Sequence, residues 1–308
     1  IAKETNVSVH TVRRIIDDTA RLLAIKPLHD LPEHLYFDEF KSVKSSDSNM
    51  SFIICDSTTH KLVDVVRDRK SYSLKQCYHR FEPKTRLKVK TISIDMYLPY
   101  IQLIKEMFPN AKIIIDPFHI VQALNRELNR TRVRVMNKHR YKDPKLNRKL
   151  KHYWKLILKN PNELQNYKYN RYKLFESFIT SKGIVDYILE KNPSLKNDYE
   201  VVHSLRECIQ DRDYIEFKET IEAATQLDIS PGLKRVLKTL ITYLPYIQNT
   251  CEHPTRTNDP IEGINNKIKV LKRNAYGFRN YYHFRNRIIL ITKLFSQKQK
   301  GIKQQLVA

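Results

Sequence analysis

Acidic residues are in short supply in this 308-residue chain: 33 Asp and Glu stand against 56 Lys and Arg, a formal charge of +23 at pH 7. So large an excess of one sign repels itself in a compact state and makes a polyanion the natural partner, nucleic acid first. Cysteine is scarce too. Cys55, Cys77, Cys208 and Cys251 lie far apart with no C-x-x-C pair, which excludes a zinc ribbon or a disulfide framework and leaves ordinary reduced thiols. No run of about 18 apolar residues is present to span a bilayer, and no charged-then-apolar leader opens the chain. An intracellular, cytoplasmic protein without membrane contact is expected. The 41% hydrophobic fraction excludes a disordered polyelectrolyte and is enough for one large domain or two modest ones. The opening at Ile1, inside what reads as a motif, leads us to expect a fragment whose preceding part holds further modules.

The first twenty residues, IAKETNVSVHTVRRIIDDTA, place Ala2 in a first helix, Thr5-Asn6 in a turn, Ser8 as a cap, and Val12, Ile15 and Ile16 on one helical face. This is helix-turn-helix spacing, with Arg13 and Arg14 on the second helix towards a DNA groove. A plain amphipathic hairpin fits the short match equally well. From His34 the period changes to two: HLYFDEF, MSFIICD and KLVDVVRD read as three strands of an antiparallel meander. YSLKQCYHRF then reads as a helix, VKTISID as a buried strand, PYIQLIKEMF as a helix and NAKIIID as another buried strand. The order βββαβαβ is that of an α/β, ribonuclease-H-like mixed sheet with helices on both faces. Beyond His119 the strand signal ends, and residues 120–255 read as a large all-helical insertion. Between Arg126 and Lys155 it holds twelve Lys or Arg against two acids, a bias suited to phosphate tracking by residues such as Arg130, Arg132 and Arg134. The expected segments are a helix-turn-helix remnant at 1–30, the first part of the core at 31–119, the insertion at 120–255, and a final helix with its tail at 256–308.

Three carboxylates stand out by position. Asp38 interrupts the first apolar strand, Asp95 ends TISID, and Glu262 heads a C-terminal helix whose next 25 residues carry seven Lys or Arg and no further acid. If the first and fourth strands are neighbours, Asp38 and Asp95 meet, and a helix packed beside them brings Glu262 within reach. Clustered carboxylates repel unless a cation neutralises them, and hard oxygen donors favour two Mg²⁺ or Mn²⁺ ions. Each acid also has a plainer reading. Asp38 suits a strand-end turn, Asp95 a helix N-cap, and Glu262 a capping box on Asp259 with Pro260 at the first position. Gly263 in a first helical turn costs about 1 kcal/mol against alanine, which close approach of the sheet or of a phosphate explains. Asp116, followed by His119, competes with Asp95, but its strand lies one place further from the first strand, which favours Asp95; Asp116 and His119 suit an outer role beside the metal or an alternative ligand role. On the last helix Lys267, Lys269, Lys272 and Arg273 are placed to hold DNA. Tyr276, Phe278 and Tyr281 either stack on distorted bases or fill core.

YFDEF, SIDMYLPYIQLIKEMFPNAKIIIDPFHIVQALN and NDPIEGINNKIKVLKRNAYGFRNYYHFRNRI together resemble the DDE transposases of bacterial insertion sequences of the ISL3 family. The resemblance implies a ribonuclease-H-like core interrupted by a helical insertion. It also implies metal-dependent cleavage and strand transfer on double-stranded DNA with terminal inverted repeats, joining to a target DNA. A homo-oligomer on paired ends, associated with the nucleoid when bound, goes with that activity. It assigns the catalytic and metal-binding triad to Asp38, Asp95 and Glu262 and an Asp-x-x-His element to Asp116 and His119. Family members carry a cysteine-rich zinc-binding segment near the N-terminus that these residues lack. A non-catalytic DNA-binding protein or domesticated fragment, and a nuclease that only hydrolyses strands, are the alternatives.

Overall fold

A computed structural model describes residues 2–24, 28–46, 49–254 and 259–294. The chain divides into two compact units, residues 1–116 with 255–308, and residues 117–254. In the first unit, α1 (Val9–Leu23) precedes β1 (His34–Lys41), β2 (Met50–Asp56) and β3 (Leu62–Val66). There follow α2 (Ser71–His79), the single turn α3 (Pro83–Arg86), β4 (Thr91–Ile94), α4 (Leu98–Met107) and β5 (Lys112–Ile115). The five strands form one sheet in the order β3-β2-β1-β4-β5. The meander β1-β2-β3 is antiparallel, whereas β4 lies parallel to β1 and β5 parallel to β4. The mixed sheet follows from the connections: Ser- and Thr-rich turns close the hairpins, and helical crossovers return β4 and β5 in parallel.

Register separates two faces. Tyr36, Phe40, Ile53 and Cys55 share one core with α12 (Asp259–Asn274) and α13 (Tyr281–Lys293), through Ile261, Ile264, Ile268, Tyr281, Phe284 and Ile288. Ala20 joins that core from α1. On the other face Phe37 stacks on Tyr78 of α2 at 5.6 Å, and Phe52 meets Tyr100 of α4 edge-on at 5.3 Å. Glu39 belongs to this second face, where Tyr100 Oη donates to it and Arg69 pairs with it at 2.8 Å. It therefore takes no part in the row of acids described below.

At the N-terminus, Ser8 Oγ caps α1 by accepting from Thr11 N at 3.0 Å, and Asn6 turns through φ 53°. Residues 2–6 run as turns, so Ala2 is not helical as its spacing suggested. Ile15 is exposed, and the packed face is Ile16, Ala20 and Leu23 against α13. Asn286 Nδ2 donates to Asp17 at 2.7 Å and Lys293 Nζ to Leu23 O at 2.7 Å, so α1 is bound into the core rather than standing off it.

The second unit comprises α5 (Pro117–Lys142), α6 (Pro144–His152), α7 (Trp154–Leu158), α8 (Ser181–Glu190), α9 (Pro193–Asp211), α10 (Tyr214–Ala224) and α11 (Pro231–Glu252). Ile120, Leu124 and Leu128 of α5 bury a stripe at i, i+4, i+8. At the start of α11 lies a buried polar knot. Asp198, fully buried, accepts from Ser230 N at 2.8 Å and Thr131 Oγ1 at 2.7 Å, and Glu127 pairs with Arg134 at 2.9 Å. Each polar group finds a partner, which is what makes such burial tolerable. Residues 255–258 and 295–308, and the side chains of Asp259 and Pro260 with the cap expected of them, lie outside the described residues.

Candidate active site

The parallel register sets the acids in a row. Tyr36 pairs with Ser93, and two residues further along come Asp38 on β1 and Asp95 just past β4. Ile94 pairs with Ile115, and one residue further come Asp95 and Asp116. Because side chains alternate with period two, Asp38, Asp95 and Asp116 fall on the face that carries Tyr36 and Ser93. Adjacent strands stand about 4.8 Å apart, so Asp38 within β1 and the acids that follow β4 and β5 present three carboxylates to one side of the sheet.

Two of them form a tighter group. Ligand atoms of Asp95, Asp116 and His119 lie within 4.8 Å of one another; Asp116 is buried, while Asp95 and His119 are half-buried. His119 stands in the first turn of α5, three residues after Asp116, so strand end and helix start supply it locally. Two carboxylates and an imidazole make a donor set of hard oxygens with one nitrogen, which fits Mn²⁺ or Mg²⁺. Sequence spacing favoured Asp95 over Asp116; the structure brings both together with His119.

Asp38 is not in that group of three. Its Oδ1 accepts from Glu39 N at 2.6 Å and its Oδ2 from Asn265 Nδ2 of α12 at 2.6 Å. The second bond ties the terminal helix to β1 beside the row of acids. Glu262, exposed, lies one turn before Asn265, a rise of about 4.5 Å along the helix axis. Asn265 is a residue beside the acids that spacing did not single out. Its signal was there, since it borders the stripe Ile261, Ile264, Ile268 where an apolar residue is expected.

A Cβ at Gly263 would meet nothing within 4 Å. Among the described residues, close approach of the sheet is therefore not the reason for that glycine.

The cations expected on DNA separate into free and committed ones. Arg13 and Arg14 are exposed on α1, as are Lys267, Lys269 and Arg273 on α12. Arg130 and Arg134 are exposed on α5 and anchored to Glu127 at 3.4 and 2.9 Å. Arg132 corrects the expectation. It is buried, donates to Leu150 O at 2.9 Å and Asn129 Oδ1 at 2.9 Å, and serves the helical core. Lys272 is a second correction: its Nζ donates to Lys41 O at 2.9 Å and Ser42 O at 2.8 Å, satisfying carbonyls at the end of β1. Burial lowers its pKa, consistent with a cation withdrawn from solvent. Of the three aromatic residues, Tyr281 is buried with its hydroxyl donating to Val65 O at 3.0 Å, and Phe278 packs on the core. Tyr276 alone protrudes fully, at φ 50° beside Gly277 at φ 94°.

The family model for ISL3-type DDE enzymes, described as Transposase, matches residues 35–288. Over 291 residues the chain is 28% identical to the transposase for insertion sequence element IS1001 of Bordetella parapertussis, covering 92% of this chain and 67% of that protein. It is also 35% identical over 130 residues to a Lactococcus lactis subsp. lactis protein named ATP-dependent protease, covering 42% of this chain and 40% of that protein. No solved structure gives a significant match. With the model spanning residues 35–288, from the sheet through both C-terminal helices α12 and α13 to Ile288, the chain belongs to the ISL3-type DDE transposase family.

Proposed function

We propose that this chain forms the ribonuclease-H-like catalytic core of a DNA transposase. It cuts phosphodiesters at the terminal inverted repeats of a bacterial insertion sequence and joins the freed 3′ ends to target DNA. The observation that carries this reading is the row of acids formed by Asp38 within β1, Asp95 just past β4 and Asp116 just past β5, with α12 fastened to Asp38. Asp38, Asp95 and Glu262 are the catalytic set, with Asp116 and His119 completing the metal environment. These side chains would hold a divalent ion, which would supply activation of an attacking oxygen and charge neutralisation at the leaving oxygen.

The rest of the work belongs to the protein. The strands fix the carboxylates before substrate arrives, so no reorganisation is needed during the reaction. Exposed Arg126, Arg130, Arg134 and Lys138 recur every four residues on α5, about 6 Å apart along the axis, and suit successive phosphates. Lys267, Lys269 and Arg273 serve the same purpose on α12, Arg13 and Arg14 on α1, and Tyr276 offers a ring for an unstacked base. We assign the activity to a homo-oligomer that pairs two DNA ends in the bacterial cytoplasm, at the nucleoid when bound. No described helix is long and apolar enough to cross a membrane.

The protease name stays with the Lactococcus protein: these 308 residues contain no G-x-x-x-x-G-K-[ST] loop to cradle nucleotide phosphates. The test is a strand-transfer assay on labelled duplex carrying the element's own ends, with Mn²⁺ and a supercoiled target. Joined products that vanish in Asp95→Asn support a transposase. Hydrolysed ends without joining make the protein a nuclease, and binding without cutting makes it a non-catalytic DNA-binding protein.

A further inference from the structure

Asn265 is out of place by the rules that govern its neighbours. On α12 it borders Ile261, Ile264 and Ile268, all buried, and is itself only 9% exposed. An amide is costly to bury there unless its donor and its acceptor are both used. The donor is used: Nδ2 gives a short 2.6 Å bond to Asp38 Oδ2. The acceptor, Oδ1, is buried with no hydrogen-bond partner among the described residues. Turning the amide over does not remove the problem, because it sets a carbonyl oxygen against a carboxylate oxygen and leaves the NH₂ unpaired instead.

We infer that Asn265 is a positioning residue of the metal site, holding Asp38 through its amide N–H while its buried carbonyl oxygen takes up the ion or a water bound to it. The inference rests on the metal-dependent function proposed above. Asp38 has one oxygen held by Glu39 N and the other by Asn265, so its carboxylate plane is fixed from both sides. An amide carbonyl is a hard oxygen donor of the kind Mg²⁺ and Mn²⁺ accept, directly or through a water. The same side chain sets the height of α12 against β1, and Glu262 lies three residues earlier on that helix. A single bond thus aligns the first acid of the set with the last.

The test is Mn²⁺ binding to the purified chain without DNA, read from the free-ion electron paramagnetic resonance signal, with melting temperature followed alongside. Asn265→Ala is expected to weaken Mn²⁺ binding 10- to 100-fold, the range for residues that orient metal ligands, while unfolding stays cooperative. Asn265→Asp keeps an oxygen but places a second charge against Asp38. It is expected to melt below wild type without metal and to gain more than wild type when Mn²⁺ is added. If Asn265→Ala binds Mn²⁺ within twofold of wild type, Asn265 is only a latch between α12 and β1 and the inference is overturned. Should the alanine variant fail to fold, the aspartate variant decides, an Mn²⁺-induced rise no larger than that of wild type being the contrary result. Asp38→Asn and Asp95→Asn separate the two levels of the argument. Loss of Mn²⁺ in these but not in Asn265→Ala sinks the positioning role alone, whereas unchanged or absent Mn²⁺ binding throughout contradicts the metal site itself.

Discussion

Gly232, in the first turn of α11, leaves no room for a methyl group: a Cβ there would stand 1.7 Å from Glu127 Oε1. Glu127 is buried and held by Arg134, so it cannot swing aside freely. Gly232→Ala is therefore expected to destabilise the chain by about 1–3 kcal/mol in urea unfolding, the usual cost of overpacking, and Glu127→Asp should recover part of the loss. His203 carries a second prediction. Burial pushes its imidazole down to about 4 from 6.5, while its ring contacts Ile157 O at 3.0 Å and Arg206 at 3.1 Å. Because the folded state resists protonation, its contribution is complete above pH 6.5 and is lost as pH falls from 6.5 to 4. The shift corresponds to on the order of 3 kcal/mol. His203→Gln should flatten the stability profile in that window by a comparable amount, and parallel profiles for the two proteins would contradict the assignment. At this scale Asp38 was legible because it interrupts an apolar strand, and Asp95 and Asp116 because each follows one. Arg132, Lys272 and Asn265 were not, since burial of a long polar side chain depends on which carbonyl or carboxylate the fold brings to it.

Elements were easier to read than side chains. The three alternating runs from His34 and the two apolar runs after Ser71 emerge as the five strands, because a period of two and short crossovers leave few arrangements. What periodicity could not convey is which face of α12 is cationic and which is committed to the sheet. Lys272 follows Lys269 by three residues on the same helix, yet it is spent on the end of β1. That division makes a prediction. Lys272→Met should lower stability by about 1–2 kcal/mol through two lost hydrogen bonds to carbonyls and leave the salt dependence of DNA binding unchanged. Lys269→Gln should do the reverse, leaving stability alone and reducing the slope of log K against log salt by about 1. Equal slopes for both variants would show that Lys272 also reaches DNA. For α1, the turn and cap were visible in Asn6 and Ser8. Its docking against α13 was not, because Asn286 and Lys293 lie some 270 residues away.

Across the whole molecule the charge of +23 and the row of acids are two sides of one arrangement. In the function proposed above, the cationic surface gathers DNA, and Asp38, Asp95 and Asp116 on one face of the sheet would stand where a metal and a phosphate meet. Composition points to a polyanionic partner, and strand order 3-2-1-4-5 brings β1 and β4 side by side. Only tertiary packing shows the terminal helix fastened to Asp38. The most direct measurement is Mn²⁺-supported nicking of an end-labelled duplex from the element's terminus, comparing wild type with Glu262→Gln and Asp38→Asn at equal DNA occupancy. The expected result is at least a hundredfold loss of nicking in both variants with DNA affinity retained, since removing a group that stabilises charge in the transition state costs about 10²–10³ in rate. Nicking by Glu262→Gln at the wild-type rate would contradict the account, because the terminal helix would then hold the sheet together without contributing to cleavage.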